Sequence, residues 1–415
     1  MWKLILRVTD VSRPNVIKPI TVSHGINEFF AVVIPPIIPL LVSDIGISYG
    51  QAGFLLTIFF VMYSLFQIPA GVVADRIGKN RLMIAGLVGM TGGVALAGVA
   101  YNYETLLVAQ AIAGVSGSTF HPTGLSIISD VETSETKGKA MGVFGFGGTL
   151  GTMAAPLVVG GLAAVAGWRV ALGGAALVGG GMTLLVGYLL FNSTNVSLPT
   201  VRTDGGQVTT GWRQVARQTA AAIATRDIGI LCLITLIMSL QHRAIQTFTT
   251  SYVAAETGAA VSVSNLAFFT LLAGGGVASL WGGDLADRMN RYHLGIGAAM
   301  ATATLVGASL FLTQLSAGLS HVLVVGVLVI WFAIIGVTMY LSYPVKNALI
   351  SERADESHSG SLFGVVQTGS ALGSASGPAV FGVLATQWGV TAAFPAIAGV
   401  GVVLAALFGA LLILN

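Results

Sequence analysis

Long apolar runs, separated by short polar segments, organise the whole chain. A membrane-spanning helix needs about 20 mostly apolar residues, and twelve segments reach that length. The pattern therefore predicts an all-α membrane protein with twelve transmembrane helices. They lie at roughly 20–43, 49–74, 82–102, 105–129, 139–166, 169–191, 228–254, 261–285, 294–316, 321–347, 360–386 and 391–414.

A polar interval divides the apolar runs into two groups of six. We predict an N-terminal bundle over residues 1–191, a cytoplasmic linker over 192–227 and a C-terminal bundle over 228–415. Only 8% of the residues are charged and 54% are hydrophobic, whereas a soluble domain carries about 25% charged residues. Such a chain cannot cover a globular surface in water, so we expect a multi-pass protein of the cell membrane with the lipid bilayer as its surroundings.

The basic residues predict the orientation in the membrane. Cytoplasmic loops carry an excess of Lys and Arg. With the N-terminus inside, all of the 19 Lys and Arg residues except Arg169 and Arg243 fall at cytoplasmic positions. Because the number of spans is even, the C-terminus is expected inside as well. The net charge of +3 follows from this asymmetry and calls for no nucleic-acid partner.

A charged hairpin occurs twice in the chain. The two copies read Gly71-Val-Val-Ala-Asp75-Arg76-Ile-Gly78-Lys79-Asn80-Arg81 and Gly283-Asp-Leu-Ala-Asp287-Arg288-Met-Asn290-Arg291. Beyond the hairpins, a shift of 222 residues aligns Pro122 with Pro344 and Asp130 with Glu352. Both halves begin inside, so we predict pseudo-symmetric parallel repeats about an axis along the membrane normal.

The repeat also predicts ion pairs at the inner face. Asp130 ends the fourth span and is the expected partner of Arg76, and Glu352 is the equivalent partner of Arg288. A carboxylate at the membrane edge can bond to Arg or to a helix N-terminus. The alternative is a solvated turn whose charges only satisfy topology.

Twelve spans in two halves, with this hairpin after the second and eighth spans, resemble the major facilitator superfamily. The resemblance implies alternating access, a cavity lined by the first, fourth, seventh and tenth spans, and a cytoplasmic latch between the halves. In the latch, Asp75 would face the eleventh span near residues 359–360, and Asp287 the fifth near Gly138. The implied latch residues are Gly71, Asp75, Arg76, Arg81, Asp130, Gly283, Asp287, Arg288 and Glu352.

Two further motifs refine the resemblance. The segments Ser23-His24-Gly-Ile-Asn27-Glu28 and Phe120-His121-Pro122 resemble the fosmidomycin-resistance subgroup of exporters. Within the fifth span, residues 147–161 are similar to the Gly-Pro motif of the drug antiporters, although Ala155 stands where Gly is usual. Gln110 occupies the place of the Arg in the fourth span of those antiporters.

Ionisable residues inside the spans are candidates for proton coupling, because a charge in the membrane usually pairs or faces a cavity. Glu28 lies one helical turn after His24, on the same face. Burial disfavours the charged form of a carboxylate, so Glu28 could exchange a proton near neutral pH, where histidine titrates unperturbed. We therefore interpret Glu28, His24 and His121 as the proton-coupling group. Hydrogen-bonded packing is the alternative.

A second candidate group belongs to the C-terminal half. Arg243 lies about 15 residues into the seventh span and stays charged in proteins, so it requires an anion or a carboxylate partner. We interpret it as a ligand of an anionic substrate, such as a phosphonate or carboxylate; a structural ion pair with Glu28 or with an acid of an outer loop is the alternative. Lys346 is expected to extend to the inner membrane surface. The substrate-binding residues predicted are Asn27, Arg243, Gln246, Tyr340 and Tyr343.

Prolines in the first span predict a bend or break. Pro35, Pro36 and Pro39 remove backbone donors from a helix, and a broken helix in lipid must line a cavity or pack on neighbours. The position fits either a gating helix or a fixed kink.

These observations favour a secondary transporter that exports a small anionic or amphipathic compound in exchange for protons. The chain has no phosphate-binding loop, metal-ligand spacing or nucleophile arrangement. We therefore expect no enzyme activity, no ATPase subunit, no metal and no cofactor, with the proton gradient as energy source and protons and a small molecule as partners. A proton symporter that imports a metabolite is the second hypothesis, and a non-transporting sensor or scaffold is a remote third.

Overall fold

The computed structural model describes residues 11–192, 226–315, 318–352 and 359–414. Helices account for nearly all of these residues, and no strand occurs among them. The predicted linker falls almost entirely outside the described residues. The helices are α1 (Pro14–Ala31), α2 (Ile38–Ile45), α3 (Tyr49–Ile77), α4 (Lys79–Gly98), α5 (Tyr103–Gly117), α6 (Phe120–Val131), α7 (Ser134–Asn192), α8 (Arg226–Thr257), α9 (Val261–Arg288), α10 (Arg291–Leu315), α11 (His321–Glu352), α12 (Ser359–Trp388) and α13 (Val390–Leu414).

Within the described part of the chain, nine helical segments are long and apolar enough to cross a membrane. One of them joins α1 and α2 across residues 14–45, and another is the 59-residue helix α7. Helix α7 changes direction at Gly167, whose φ of 82° and ψ of 160° are not helical. A residue with a side chain rarely adopts such a φ, so glycine allows the chain to turn there between two long apolar stretches.

Prolines and small polar residues break two of the apolar runs. Helix α1 ends at Ala31, a short 3-10 turn follows at Pro35–Ile37, and α2 begins at Ile38. The predicted interruption of the first span is therefore confirmed. The fourth run is also divided, because α5 ends at Gly117 and α6 begins at Phe120. That second break lies directly before His121.

An acidic residue fixes the beginning of α1. The Glu132 carboxylate, in the turn between α6 and α7, accepts hydrogen bonds from the backbone N–H groups of Ser12 (2.9 Å) and Arg13 (3.0 Å). The first N–H groups of a helix have no partner within the helix, and a carboxylate at this end also interacts favourably with the helix dipole. Glu132 is 7% exposed, so it ties the N-terminal end of α1 to a buried point on the α6–α7 turn.

The two hairpins turn the chain by different means. Gly78 adopts a φ of 97° between α3 and α4. At the equivalent place Asn290 does not adopt a positive φ. Its side-chain oxygen instead accepts hydrogen bonds from the N–H groups of Tyr292 (3.1 Å) and His293 (3.2 Å) at the start of α10. The second copy thus replaces the conformational freedom of glycine with a helix cap.

The chain divides into two compact units. The first comprises Met1–Ile45 and Ile58–Gly206, and the second comprises Gly46–Thr57 and Gln207–Asn415. The first turns of α3 therefore belong to the second unit, where the N–H of Gly50 donates to the Thr386 hydroxyl at 2.7 Å.

Glycines bring the same pair of helices close together in each unit. In the first unit, a Cβ on Gly147 or Gly151 would strike the α1 backbone at Thr21 or Gly25. In the second unit, a Cβ on Gly369 or Gly373 would strike α8 at Cys232 or Leu236. The glycines are 222 residues apart and their α1 and α8 contacts 211 apart in both pairs. Close helix approach through small residues is typical of membrane proteins, and its repetition supports the duplication inferred from sequence.

Candidate functional site

The first unit contains a group of titratable and aromatic side chains around His24, which is itself buried. The His24 ring stacks nearly parallel to the rings of Phe144 and Phe120, with centroids 3.9 and 5.4 Å away. Its Nδ1–H donates to the Phe144 carbonyl at 2.8 Å, which leaves Nε2 as the other hydrogen-bonding atom. Gly148 of α7 makes room for the ring, because a Cβ there would lie 2.5 Å from His24 Cε1.

Glu28 and His121 also belong to this group and lie close to His24, as the sequence predicted. His24 Nε2 lies 3.7 Å from Glu28 Oε1, one helical turn along α1. The rings of His24 and His121 meet edge to face, with centroids 5.3 Å apart. Their proton-coupling role stays a prediction, but the three residues now share one site built from α1 and α6.

Tyr63 of α3, which was not among the predicted residues, links His121 to Asn27. Its hydroxyl oxygen lies 2.5 Å from His121 Nδ1, and the hydroxyl donates to Asn27 Oδ1 at 3.3 Å. Asn27 is fully buried and also contacts the Met90 sulfur. Asn27 therefore lies in the titratable cluster of the first unit, and its role in substrate binding stays a prediction. A tyrosine in the middle of an apolar run was the signal available in the sequence.

The same three titratable residues have a donor set that could hold a metal ion. One ligand atom from each of His24, Glu28 and His121 lies within 4.8 Å of the others. Imidazole nitrogen and carboxylate oxygen are ordinary ligands for zinc and similar ions. The same imidazole and carboxylate groups are equally suited to sharing a proton.

The second unit holds a donor-rich group between α8 and α11. Gln246 bridges two predicted residues: its Oε1 accepts from Arg243 Nη1 at 3.0 Å, and its Nε2 donates to the Tyr340 hydroxyl at 2.7 Å. The Tyr340 and Tyr343 ring centroids are 5.6 Å apart. A glycine again provides the space, because a Cβ on Gly275 of α9 would lie 2.5 Å from the Tyr340 ring. Four of the five predicted substrate-binding residues therefore lie together here.

Two further residues join this second group. The His242 ring centroid lies 5.1 Å from that of Tyr343 and 6.1 Å from that of Tyr340. Lys346 Nζ lies over the Tyr343 ring, 5.3 Å from its centroid. Lys346 is only 7% exposed, so the expectation that it extends to the membrane surface was wrong. Its ammonium packs on an aromatic face instead.

The hairpins form ion pairs with other partners than those predicted. Asp130 contacts Lys79 at 2.5 Å, not Arg76, and Glu352 pairs with Arg291, not Arg288. Lys79 and Arg291 are the first residues of α4 and α10, so the turn brings the next helix, and not the end of the previous one, to the acid. The basic partners are 212 residues apart and the acids 222, as the repeat requires.

The other predicted latch residues are solvent-accessible in the structure. Asp75, Arg76 and Arg81 are exposed, and Arg288 pairs with Asp284 one turn before it at 2.9 Å. Asp287 contacts Arg291 at 3.7 Å. A Cβ on Gly71 or Gly283 would meet nothing within 4 Å, so helix packing does not require glycine there. The gating role of these residues stays a prediction.

Comparison with known proteins assigns the chain to a family. The profile of the Major Facilitator Superfamily matches residues 20–241 and again 231–415. The chain belongs to the Major Facilitator Superfamily. Membership accounts for the duplicated halves and points to a transporter rather than an enzyme.

Individual relatives within the superfamily align with only part of the chain. The fosmidomycin resistance protein of Escherichia coli K12 is 27% identical over 144 residues, which are 35% of each chain. The probable L-galactonate transporter of the same organism is 27% identical over 126 residues, 30% of this chain and 28% of the relative. The quinolone resistance protein NorA of Staphylococcus aureus MRSA252 is 26% identical over 107 residues, 26% and 28% of the two chains. Each match thus spans about a third of the relative.

Solved structures agree with the fold over almost the whole length. A bacterial homologue of the human lysosomal transporter Spinster, in an inward-facing and occupied conformation, superposes with a TM-score of 0.80. The alignment covers 96% of this chain and 97% of the other, at 16% sequence identity. The unoccupied inward-facing form of the Spinster homologue gives a TM-score of 0.77. At this identity the likeness establishes the fold alone.

Proposed function

We propose that the protein is a secondary active transporter that works by alternating access and exports a small anionic or amphipathic compound in exchange for protons. Superfamily membership supports transport. The names of two relatives, a fosmidomycin resistance protein and a quinolone resistance protein, support export. We further propose twelve crossings of the cell membrane with both termini in the cytoplasm, and energy from the proton gradient without a cofactor.

The observation that carries proton coupling is the contact between His24 and Glu28. His24 Nδ1–H is committed to the Phe144 carbonyl, so Nε2 is the atom that faces Glu28 at 3.7 Å. A proton can therefore be shared between the imidazole and the carboxylate, with His121 and Tyr63 alongside. Between Ile20 and Leu41, Glu28 is the only charged residue, and it is the proposed proton carrier.

The donor-rich group of the second unit is the proposed substrate site. Arg243, Gln246 and Tyr340 form one connected set of hydrogen bonds, and Tyr343 borders it. Such a group suits an oxyanion, because guanidinium, amide and hydroxyl groups all donate. In the proposed cycle, protonation of Glu28 and substrate binding near Arg243 exclude each other, so that movement of one drives the other.

The substitution Glu28→Gln tests the coupling. Gln keeps the size of the side chain but cannot release a proton, so we expect proton-driven uptake of fosmidomycin into everted vesicles to lose its dependence on the pH gradient. Fosmidomycin is chosen because a relative is named for resistance to it. Glu104→Gln removes an exposed acid at the start of α5 and serves as control. If Glu28→Gln transports with undiminished coupling, Glu28 is not the proton carrier.

Import by proton symport is the second candidate, supported by the relative named as a probable L-galactonate transporter. The same fold and the same residues can serve either direction. Cells that express the protein would gain growth on organic acids if it imports and resistance to toxic compounds if it exports. These two phenotypes separate the hypotheses.

A further inference from the structure

The side chains of His24, Glu28 and His121 have nearly the spacing of a metal centre. They offer three ligand atoms that lie within 4.8 Å of one another. In a tetrahedral zinc site with bonds of about 2.0–2.2 Å, the ligand atoms are about 3.3–3.6 Å apart. His24 Nε2 and Glu28 Oε1 are already 3.7 Å apart. Side-chain shifts of about 1 Å therefore bring all three ligand atoms around one ion.

Hydrogen bonds hold both histidines in the tautomer that a metal ligand needs. His24 Nδ1–H donates to the Phe144 carbonyl. The Tyr63 hydroxyl donates to Asn27 Oδ1, so its oxygen accepts from His121 Nδ1–H at 2.5 Å. In both rings Nε2 is then the nitrogen that carries the lone pair. A metal-bound histidine characteristically donates its other ring N–H to an acceptor of the protein, and both rings already do so.

The helices around the three residues favour a cation at this place. Glu28 is the only charged residue within residues 20–41, and the stretches of α3, α6 and α7 that contribute to the site, residues 49–74, 120–129 and 140–168, contain none. No lysine or arginine of these stretches repels a metal ion or neutralises the carboxylate. The Glu28 side chain is 24% exposed, which leaves room for an ion to approach.

We propose that His24, Glu28 and His121 bind a divalent transition-metal ion, and that Zn²⁺ is the ion best suited to them. Two imidazoles and a carboxylate, with the fourth position open, are a donor set that zinc uses. The hard ions Mg²⁺ and Ca²⁺ prefer oxygen ligands. The sequence led us to expect no metal, because the ligands come from two helices far apart in the chain and show no local spacing.

A metal ion at this site would also occupy the proposed proton carrier. The ion would hold the Glu28 carboxylate and join α1 to α6, so we expect zinc to inhibit transport. This consequence rests on the proposed function, whereas the binding of zinc does not.

Titration of the purified full-length protein with zinc chloride tests the site. The protein is prepared in detergent without a histidine tag and without substrate, and calorimetry measures the number of bound ions and their affinity. We expect one zinc ion per chain at this site and no comparable binding of magnesium. Loss of an outer hydrogen-bond partner typically weakens metal affinity about 10–100-fold, and loss of a ligand costs more. His121→Gln should therefore weaken zinc binding by at least about 100-fold.

Two further variants separate ligation from a general effect of mutation. Tyr63→Phe keeps the aromatic ring but removes the acceptor of His121 Nδ1–H, so zinc binding should weaken by about tenfold or more. His293→Gln removes an exposed histidine of α10 and should bind zinc as the wild type does.

Two results would overturn the proposal. One is a wild-type protein that binds zinc no more tightly than magnesium, and this comparison decides the question even if a variant does not fold. The other is a zinc affinity that is the same in the wild type, His121→Gln and Tyr63→Phe, because the ion would then bind elsewhere. Zinc that binds as expected but leaves transport unchanged would contradict the proposed role of Glu28 in transport and not the metal site.

Discussion

At the scale of single residues, glycines determine where the chemically important rings can lie. Gly148 leaves space for His24, Gly275 for Tyr340 and Gly117 for Tyr63, and a Cβ at these positions would lie 2.5 to 2.9 Å from the ring atoms. Contacts below 3 Å between carbon atoms are strongly repulsive, so a methyl group would displace the ring or the helix. The positions of the residues proposed to bind protons and substrate thus depend on the absence of a side chain at these glycines.

Replacement of Gly148 by Ala is expected to destabilise the protein by about 1–3 kcal/mol, the usual cost of overpacking. The His24 ring cannot move aside easily, because it is stacked on Phe144 and hydrogen-bonded to its carbonyl. Gly145→Ala in the same helix is the matched control, since a Cβ there meets nothing within 4 Å. Thermal unfolding in detergent measures both variants. Equal melting temperatures would show that the ring has room for a methyl group.

Sequence reasoning found the titratable residues of the site but not the residues that position them. Glu28, His24 and Arg243 stand out because a polar group in an apolar run has few explanations. The role of Gly148 depends on which face of α7 packs on α1, and a glycine-rich helix does not reveal that face. Lys346 was misjudged for a similar reason, because the sequence does not show that the packing of α11 buries its side chain.

At the scale of helices, the ends are defined by specific hydrogen bonds as well as by hydropathy. Burial alone would raise the pKa of Glu132, but hydrogen bonds from Thr136 and from the Ser12 and Arg13 amides outweigh it and lower the pKa below its ordinary 4.5. A carboxyl with a lowered folded-state pKa stabilises the fold above its unfolded value, and that stabilisation disappears as the pH falls through the folded value. The beginning of α1 should therefore loosen in acid.

Glu132→Ala removes this cap and is expected to cost about 1 kcal/mol at neutral pH. The difference from the wild type should shrink as the pH falls below 4.5, the ordinary pKa, and disappear once the pH falls through the lower folded-state pKa. Thermal unfolding at pH 7 and in acid measures the effect, with Glu135→Ala, an exposed acid in the same region, as control. A stability difference that does not change with pH would contradict the proposed ionised cap.

At the scale of the whole molecule, the duplication predicts more than the individual residues do. The repeat predicted that Asp130 and Glu352 would form equivalent ion pairs, and they do, although with Lys79 and Arg291 in place of Arg76 and Arg288. The error came from the turns: hydropathy marks where a span ends but not how the following glycine or asparagine directs the next helix. The residue shift that aligns the two halves is not affected by such local errors, because it reflects the packing of many residues.

The membrane orientation proposed for the whole chain can be tested by cysteine labelling. In a Cys232→Ser background, Tyr101→Cys, which is 78% exposed between α4 and α5, should react with a membrane-impermeant maleimide on intact cells. Ser134→Cys at the start of α7, also exposed, should react only after permeabilisation. The reverse labelling pattern would show that the orientation in the membrane is opposite to the one proposed.

The two polar groups of the molecule are each assembled within one unit: His24, Glu28 and His121 in the first, and Arg243, Tyr340 and Lys346 in the second. A mutation in one group therefore changes no residue of the unit that builds the other group. Natural selection could then change the substrate specificity without changing the residues proposed to couple transport to protons. A population under pressure from a new toxic compound would be expected to accumulate its first adaptive changes on α8 and α11, and to leave α1 and α6 as they are.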